Sequence, residues 1–159
     1  MYQRNKKVII AFIMSSIFLY QNLIADETTK MMVSPAIINY LLDSSESNNS
    51  DYILQMAFEN KEEGLQVQGV GKVNRLLSDD TSGSQHQRFI IELISKQTLL
   101  VAHNIDLAPR IDTLQVNDIV KFYGVYEWNS EGGVIHWTHN DPDGIHKNGW
   151  LKHDGIIYQ

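Results

Sequence analysis

The stretch LQVQGVGKVNRLL, residues 65–77, alternates apolar and polar side chains through Val73. Successive side chains of an extended chain point to opposite faces, so this pattern predicts a strand with one face against a core. Gly69 and Gly71 sit inside it, and glycines within a strand allow a sharp bend. A long first strand able to curl is what a small closed barrel requires.

The chain downstream continues in strands. A turn at SDDTSGS (78–84) leads to HQRFIIELI (86–94), then through 95–97 to TLLVAH (98–103). The non-strand segment NIDLAPRIDTLQVND (104–118) precedes IVKFYGVYEW (119–128), and NSEGG turns the chain into VIHWTH (134–139). Five strands, a bent first one and a long connection from third to fourth predict a mainly β fold. Its expected form is a small OB-like five-stranded β-barrel with an N-terminal helix and a C-terminal hairpin. DPDG (141–144) suits a type I turn, and Asp154-Gly155 between apolar runs in WLKHDGIIYQ (150–159) suits a tight hairpin.

Upstream, SDYILQMAFENKEEG predicts a helix over 51–62, capped by Ser50 or Asp51 and ended by Gly64. Its apolar face is read as Ile53, Met56, Ala57 and Asn60. Residues 26–50 read as a flexible linker, because DSSESNNS (43–50) is small, polar and acidic; a short helix is allowed at 31–42 if Pro35 lies in its first turn. The expected organisation is a signal peptide at 1–25, the linker at 26–50 and a single OB-like domain at 51–159.

The signal reading rests on three features in order. Arg4, Lys6 and Lys7 form a positive start, Val8 to Tyr20 is apolar except for Ser15 and Ser16, and Ala25 offers a small cleavage residue. A membrane-spanning helix needs about 20 apolar residues, so this run is signal-sized and the mature chain is expected to have no membrane span. An uncleaved anchor is the alternative. The expected address is the periplasm or the extracellular space.

The chain has no cysteine, which excludes disulfides and thiolate metal sites. Its formal net charge is −6, and losing Arg4, Lys6 and Lys7 with no acidic residue takes it to −9. That balance disfavours nucleic acid, whose binding depends on neutralising phosphates. No nucleophile elbow, phosphate loop or dinucleotide fingerprint occurs.

Four of the six histidines lie in GGVIHWTHNDPDGIHKNGWLKH (132–153). On one continuous strand Ile135, Trp137 and His139 share a face, and His136 and Thr138 take the other. His139 and Asp141, with His146 brought back by the turn, make a set able to hold a divalent metal through two imidazoles and a carboxylate. Its spacing matches no standard zinc motif, and turn and hydrogen-bonding roles explain the same residues. His153 and His103 are expected to join the cluster. In HNIDLAPR, Asn104 or Asp106 could cap a short helical turn with Pro109 in its first turn; the functional alternative makes His103, Asp106 and Arg110 a polar rim at the barrel mouth, with Arg110 clamping an anion and Asn104 a further ligand-binding candidate. Trp137 and Trp150, beside His136 and His153, are further ligand-binding candidates, and with Trp128, Tyr123 and Tyr126 they form either a stacking platform or a core.

The strings HNIDLAPR, GGVIHWTH and GWLKH, within a span of about 65–159, resemble an uncharacterised family of small exported bacterial proteins, domain of unknown function 3465. The resemblance implies no activity. Asn117 stands before Asp118 where such proteins have Gly-Asp, a departure that bears on turn geometry. The expected function is an exported module binding an unknown ligand. Alternatives are a divalent-metal-dependent, phosphodiesterase-like hydrolase using His139, Asp141, His146 and Arg110, and a structural envelope protein.

Overall fold

The computed structural model describes residues 34–159, so the expected signal peptide lies outside the described residues, as does the first part of the linker. The chain divides into units 1–43 and 44–159. Among the described residues no helix is long and apolar enough to cross a membrane.

One helix, α1 (Pro35–Asn60), replaces the short helix and linker expected from sequence. Ser34 Oγ accepts the Ile37 N–H at 3.3 Å, and Pro35 takes the first helical position, where its missing N–H costs nothing. The polar run 43–50 is helical because it contains no glycine or proline, and Ser50 turns its hydroxyl back to the carbonyls of Glu46 and Ser47. Asp51 is therefore interior to the helix and does not cap it. Its carboxylate instead accepts the backbone N–H and the hydroxyl of Ser95, in the turn after the second strand, at 2.7 and 2.6 Å. The buried face is Ser50, Asp51, Leu54 and Ala57, one position away from the expected Ile53 face. The helix stops at Asn60 with Lys61 left-handed (φ 54°), before Gly64 is reached.

Seven strands follow: β1 (Glu63–Leu76), β2 (His86–Glu92), β3 (Thr98–Asn104), β4 (Ile119–Glu127), β5 (Val134–His136), β6 (Trp150–His153) and β7 (Ile156–Tyr158). The first five form a closed barrel. β1 pairs with β4 over Glu63–Lys72 and with β2 over Lys72–Leu76, β2 pairs with β3, β3 runs parallel to β5, and β5 returns to β4. The bend of β1 falls at a register shift between Val73 and Arg75. The two glycines serve closeness: a Cβ on Gly69 would stand 2.6 Å from Phe122 Cζ, and one on Gly71 would stand 2.9 Å from Ile91.

Alternation holds almost without exception. Val73, Phe89, Ile91, Leu99, Val101, Val120, Phe122, Tyr126, Ile135 and Leu151 are fully buried and fill the barrel with Leu54 and Ile111. Asn117 adopts φ 79°, so the turn does require the left-handed region, and asparagine is among the few other residues that enter it readily. In the C-terminal hairpin β6–β7, Asp154 and Gly155 both have positive φ (49° and 81°), as a primed turn demands.

β4 organises the C-terminal half. One edge carries β1, while the other is shared: Val125–Glu127 pair with β5 and Val120–Tyr123 pair with β6. Gly124 lies at the fork, where a Cβ would stand 2.5 Å from the His136 carbonyl oxygen. The chain leaves the barrel there and returns at Trp150.

Candidate functional site

The expected fifth strand to His139 ends at His136. Trp137 has φ 54°, uncommon for a bulky side chain, and this breaks the alternation. Ile135 and Thr138 are consequently both buried, while His136 and Trp137 are half-buried. From Trp137 the chain makes a loop that closes where the Gly149 N–H donates to the His139 carbonyl at 2.8 Å. Within it Asp141 organises the backbone: its carboxylate accepts the N–H groups of Asp143 and His146, and its own N–H donates to Asn148 Oδ1. Burial works to raise the Asp141 pKa, yet these N–H donors outweigh it and hold the carboxyl below its ordinary value.

The rings of this segment form a chain. His136 meets Trp137 at 5.5 Å between centroids, Trp137 meets His146 at 4.0 Å, and His146 meets His139 at 5.0 Å, each edge to face. The structure thus brings His139 and His146 together. Among the described residues no three His, Asp or Glu side chains are grouped so as to hold a metal ion, and Asp141 turns its oxygens to its own loop.

His103 is fully buried inside the barrel. The Pro109 carbonyl, 3.2 Å from Nε2, can only accept, so Nε2 carries the proton and Nδ1 accepts from Thr138 Oγ1 at 2.8 Å. Burial pushes the imidazole down to about 4 against the opposing pull of the Pro109 carbonyl. Asn104 Oδ1 accepts the Asp106 N–H, and Asp106 accepts the Gln85 N–H, so these two residues tie loops together. Residues 105–107 form a turn with no helical segment, and Pro109 lies beyond it. Arg110 is engaged by Asp79 and Asp112 at 2.9 Å each, hydrogen bonds that raise its pKa.

His153 does not join the cluster. It pairs with Val120 while His136 pairs with Val125, so about 16 Å of β4 separates them at roughly 3.3 Å per residue. There it meets Asp118 at 2.8 Å with 2% exposure. Trp150 lies beside Tyr123 at 6.2 Å on the outer face, and Trp128 is covered by Phe58 of α1 and by Lys61. The tryptophans therefore form no common platform.

Apart from His136, sequence reasoning missed a different surface. His86, Arg88 and Ile90 of β2 alternate with its buried residues, as do Leu100 and Ala102 of β3. These outward side chains line two open grooves. One, of about 370 Å³, is lined by Asp80, His86, Arg88, Leu100, Ala102, Glu127, Val134 and His136. The other, of about 320 Å³, runs past Asn74, Arg75, Ile90, Leu100, Asn129, Glu131 and Gly133. Leu100 lines both. His136 Nε2 is buried without a hydrogen bond, 3.6 Å from Glu127 Oε1. Burial lowers the His136 pKa, and Glu127 opposes that shift. Alternation in β2 marks His86 and Arg88 as outward-facing, but only the β3–β5 pairing shows that they face His136.

No curated protein matches the chain. A family model described as protein of unknown function (DUF3465) matches residues 37–159, reaching further toward the N-terminus than the strings that carry the resemblance. With most of its length covered by that match, the chain belongs to the DUF3465 family.

Proposed function

We propose that the chain is an exported binding module whose ligand lies across the outward face of β2, β3 and β5. The observation that carries this is the pair of grooves meeting at Leu100, which extends from the β1–β2 loop at Asp80 to the β4–β5 loop at Asn129. The strand order, closed by β1 on β4 with a parallel β3–β5 pair, supports the OB-like reading, and ligands of such barrels favour the face of strands 2 and 3 with these loops. The floor is aliphatic, while Arg75, Arg88, His86, His136, Glu127 and Glu131 supply charge and hydrogen bonding. This mixture suits an elongated polar ligand with one apolar side. No Phe, Tyr or Trp lines either groove among the described residues and the chain is acidic, both of which weigh against nucleic acid.

The test is a thermal-shift screen of oligosaccharide and peptide panels, repeated with Leu100→Glu. A ligand that raises the melting temperature of the native protein and loses that effect in the variant supports the groove. A ligand that stabilises both equally overturns it. Export is tested by fractionation and N-terminal sequencing: recovery in the periplasm or medium with a start near Asp26 is expected, and a cytoplasmic protein starting at Met1 refutes it.

A further inference from the structure

We propose that the loop between β5 and β6 binds a late first-row transition-metal ion, copper(II) most tightly, through the Nε2 atoms of His139 and His146. The argument starts from proton positions. His139 Nδ1 lies 2.6 Å from the Asn140 carbonyl oxygen, and His146 Nδ1 lies 2.7 Å from that of Lys147. A carbonyl only accepts, so both Nδ1 atoms carry protons and both neutral rings keep their lone pairs on Nε2. Metal-bound imidazoles typically have this arrangement, in which the far nitrogen donates to a carbonyl or carboxylate and fixes the ring. Neither Nε2 makes a hydrogen bond among the described residues.

Spacing agrees. Two imidazoles on one ion at about 2.0–2.1 Å, with a bond angle between square and tetrahedral, place their centroids roughly 4.5–5 Å apart. The observed separation is 5.0 Å, with the ring planes at 89°. The loop holds this spacing by contacts that use neither Nε2: Gly149 to the His139 carbonyl, and the His146 N–H to Asp141. Trp137 also packs edge to face on His146, at 4.0 Å between centroids.

No third side chain completes a site among the described residues. Water or an external donor therefore fills the remaining positions, and exchangeable binding is expected. Two neutral imidazoles favour copper, nickel or zinc over magnesium or calcium, which prefer oxygen donors, and copper(II) leads the divalent series.

The neighbouring tryptophan supplies a readout, because copper(II) quenches indole fluorescence at short range. The purified protein is titrated with copper(II) sulfate at neutral pH, with stoichiometry measured by equilibrium dialysis and ligation by electron paramagnetic resonance. One ion per chain, nitrogen hyperfine structure from two imidazoles, and quenching abolished in Trp137→Phe without loss of binding are expected. His139→Gln and His146→Gln should each weaken binding at least about tenfold, as loss of one of two ligands to an imidazole-bound ion implies, while His86→Gln and His136→Gln leave it unchanged. His146 is half-exposed, so its variant tests the site even if the buried His139 variant misfolds. Binding that survives His146→Gln, or binding lost with His86→Gln or His136→Gln, overturns the proposal, as does no binding at all.

Discussion

Thr138 Oγ1 and His103 Nδ1 stand 2.8 Å apart inside the barrel, and neither residue is exposed to solvent. The Pro109 carbonyl fixes the His103 proton on Nε2, so Thr138 is the donor that Nδ1 needs. Thr138→Val keeps the shape and removes the donor, leaving a buried acceptor unsatisfied. A loss of about 1–3 kcal/mol in urea denaturation is expected, with Thr138→Ser recovering part of it.

The same imidazole gives a pH dependence. Its pKa falls from the ordinary 6.5 to about 4 because burial disfavours the cation, and the His139 and His86 side chains push in the same direction. With the folded value depressed, the unfolded chain takes up the proton first as pH falls. The stability is present above pH 6.5 and declines down to about pH 4, a contribution of about 3 kcal/mol in all. Denaturation midpoints measured across this window should fall, and His103→Gln should flatten the slope.

Two glycines separate space from backbone conformation. Gly124 has the His136 carbonyl oxygen 2.5 Å from where a Cβ would be, whereas Gly64 has open space but φ 70°. Gly64→Ala is expected to cost about 1–2 kcal/mol from the left-handed backbone alone. Gly124→Ala must displace β5 at the fork, and a larger loss, about 3 kcal/mol or more, should appear in thermal melts.

Asp51 joins α1 to the β2–β3 turn through Ser95. Asp51→Ala should lower stability by about 1–3 kcal/mol, since it strips the acceptor from a backbone N–H and a hydroxyl. Asp51→Asn should recover part of this. Equilibrium denaturation followed by circular dichroism checks both.

The β elements were legible because burial on one face imposes period two, and β1 to β4 carry that pattern openly. The end of β5 was not. Val134 to His139 reads as a continuous strand, and only the shared edge of β4, where Gly149 enters against the Trp137 carbonyl, forces Trp137 to turn. The length of α1 was hidden for the opposite reason. Residues 43–50 have little helix preference of their own, and the Asp51 and Leu54 contacts with the barrel are invisible in sequence. The pairing of His139 with His146 was readable from the DPDG turn, whereas the separation of His153 depended on which stretch of β4 received β6.

Because β1 closes on β4, the five barrel strands satisfy one another, and the open margin of the sheet passes to β7. Ile156 and Ile157 stand there more than half exposed, on a strand that among the described residues pairs with β6 alone. Exposed strand margins recruit other chains into fibrils or swapped dimers, and nature often blunts them by brevity. Here the vulnerable ladder is three residues long, too short to template much. Solubility at high concentration therefore depends on Ile156–Tyr158 remaining short, and a fusion that extends this strand with apolar residues would turn the barrel's last hairpin into a seed for self-association.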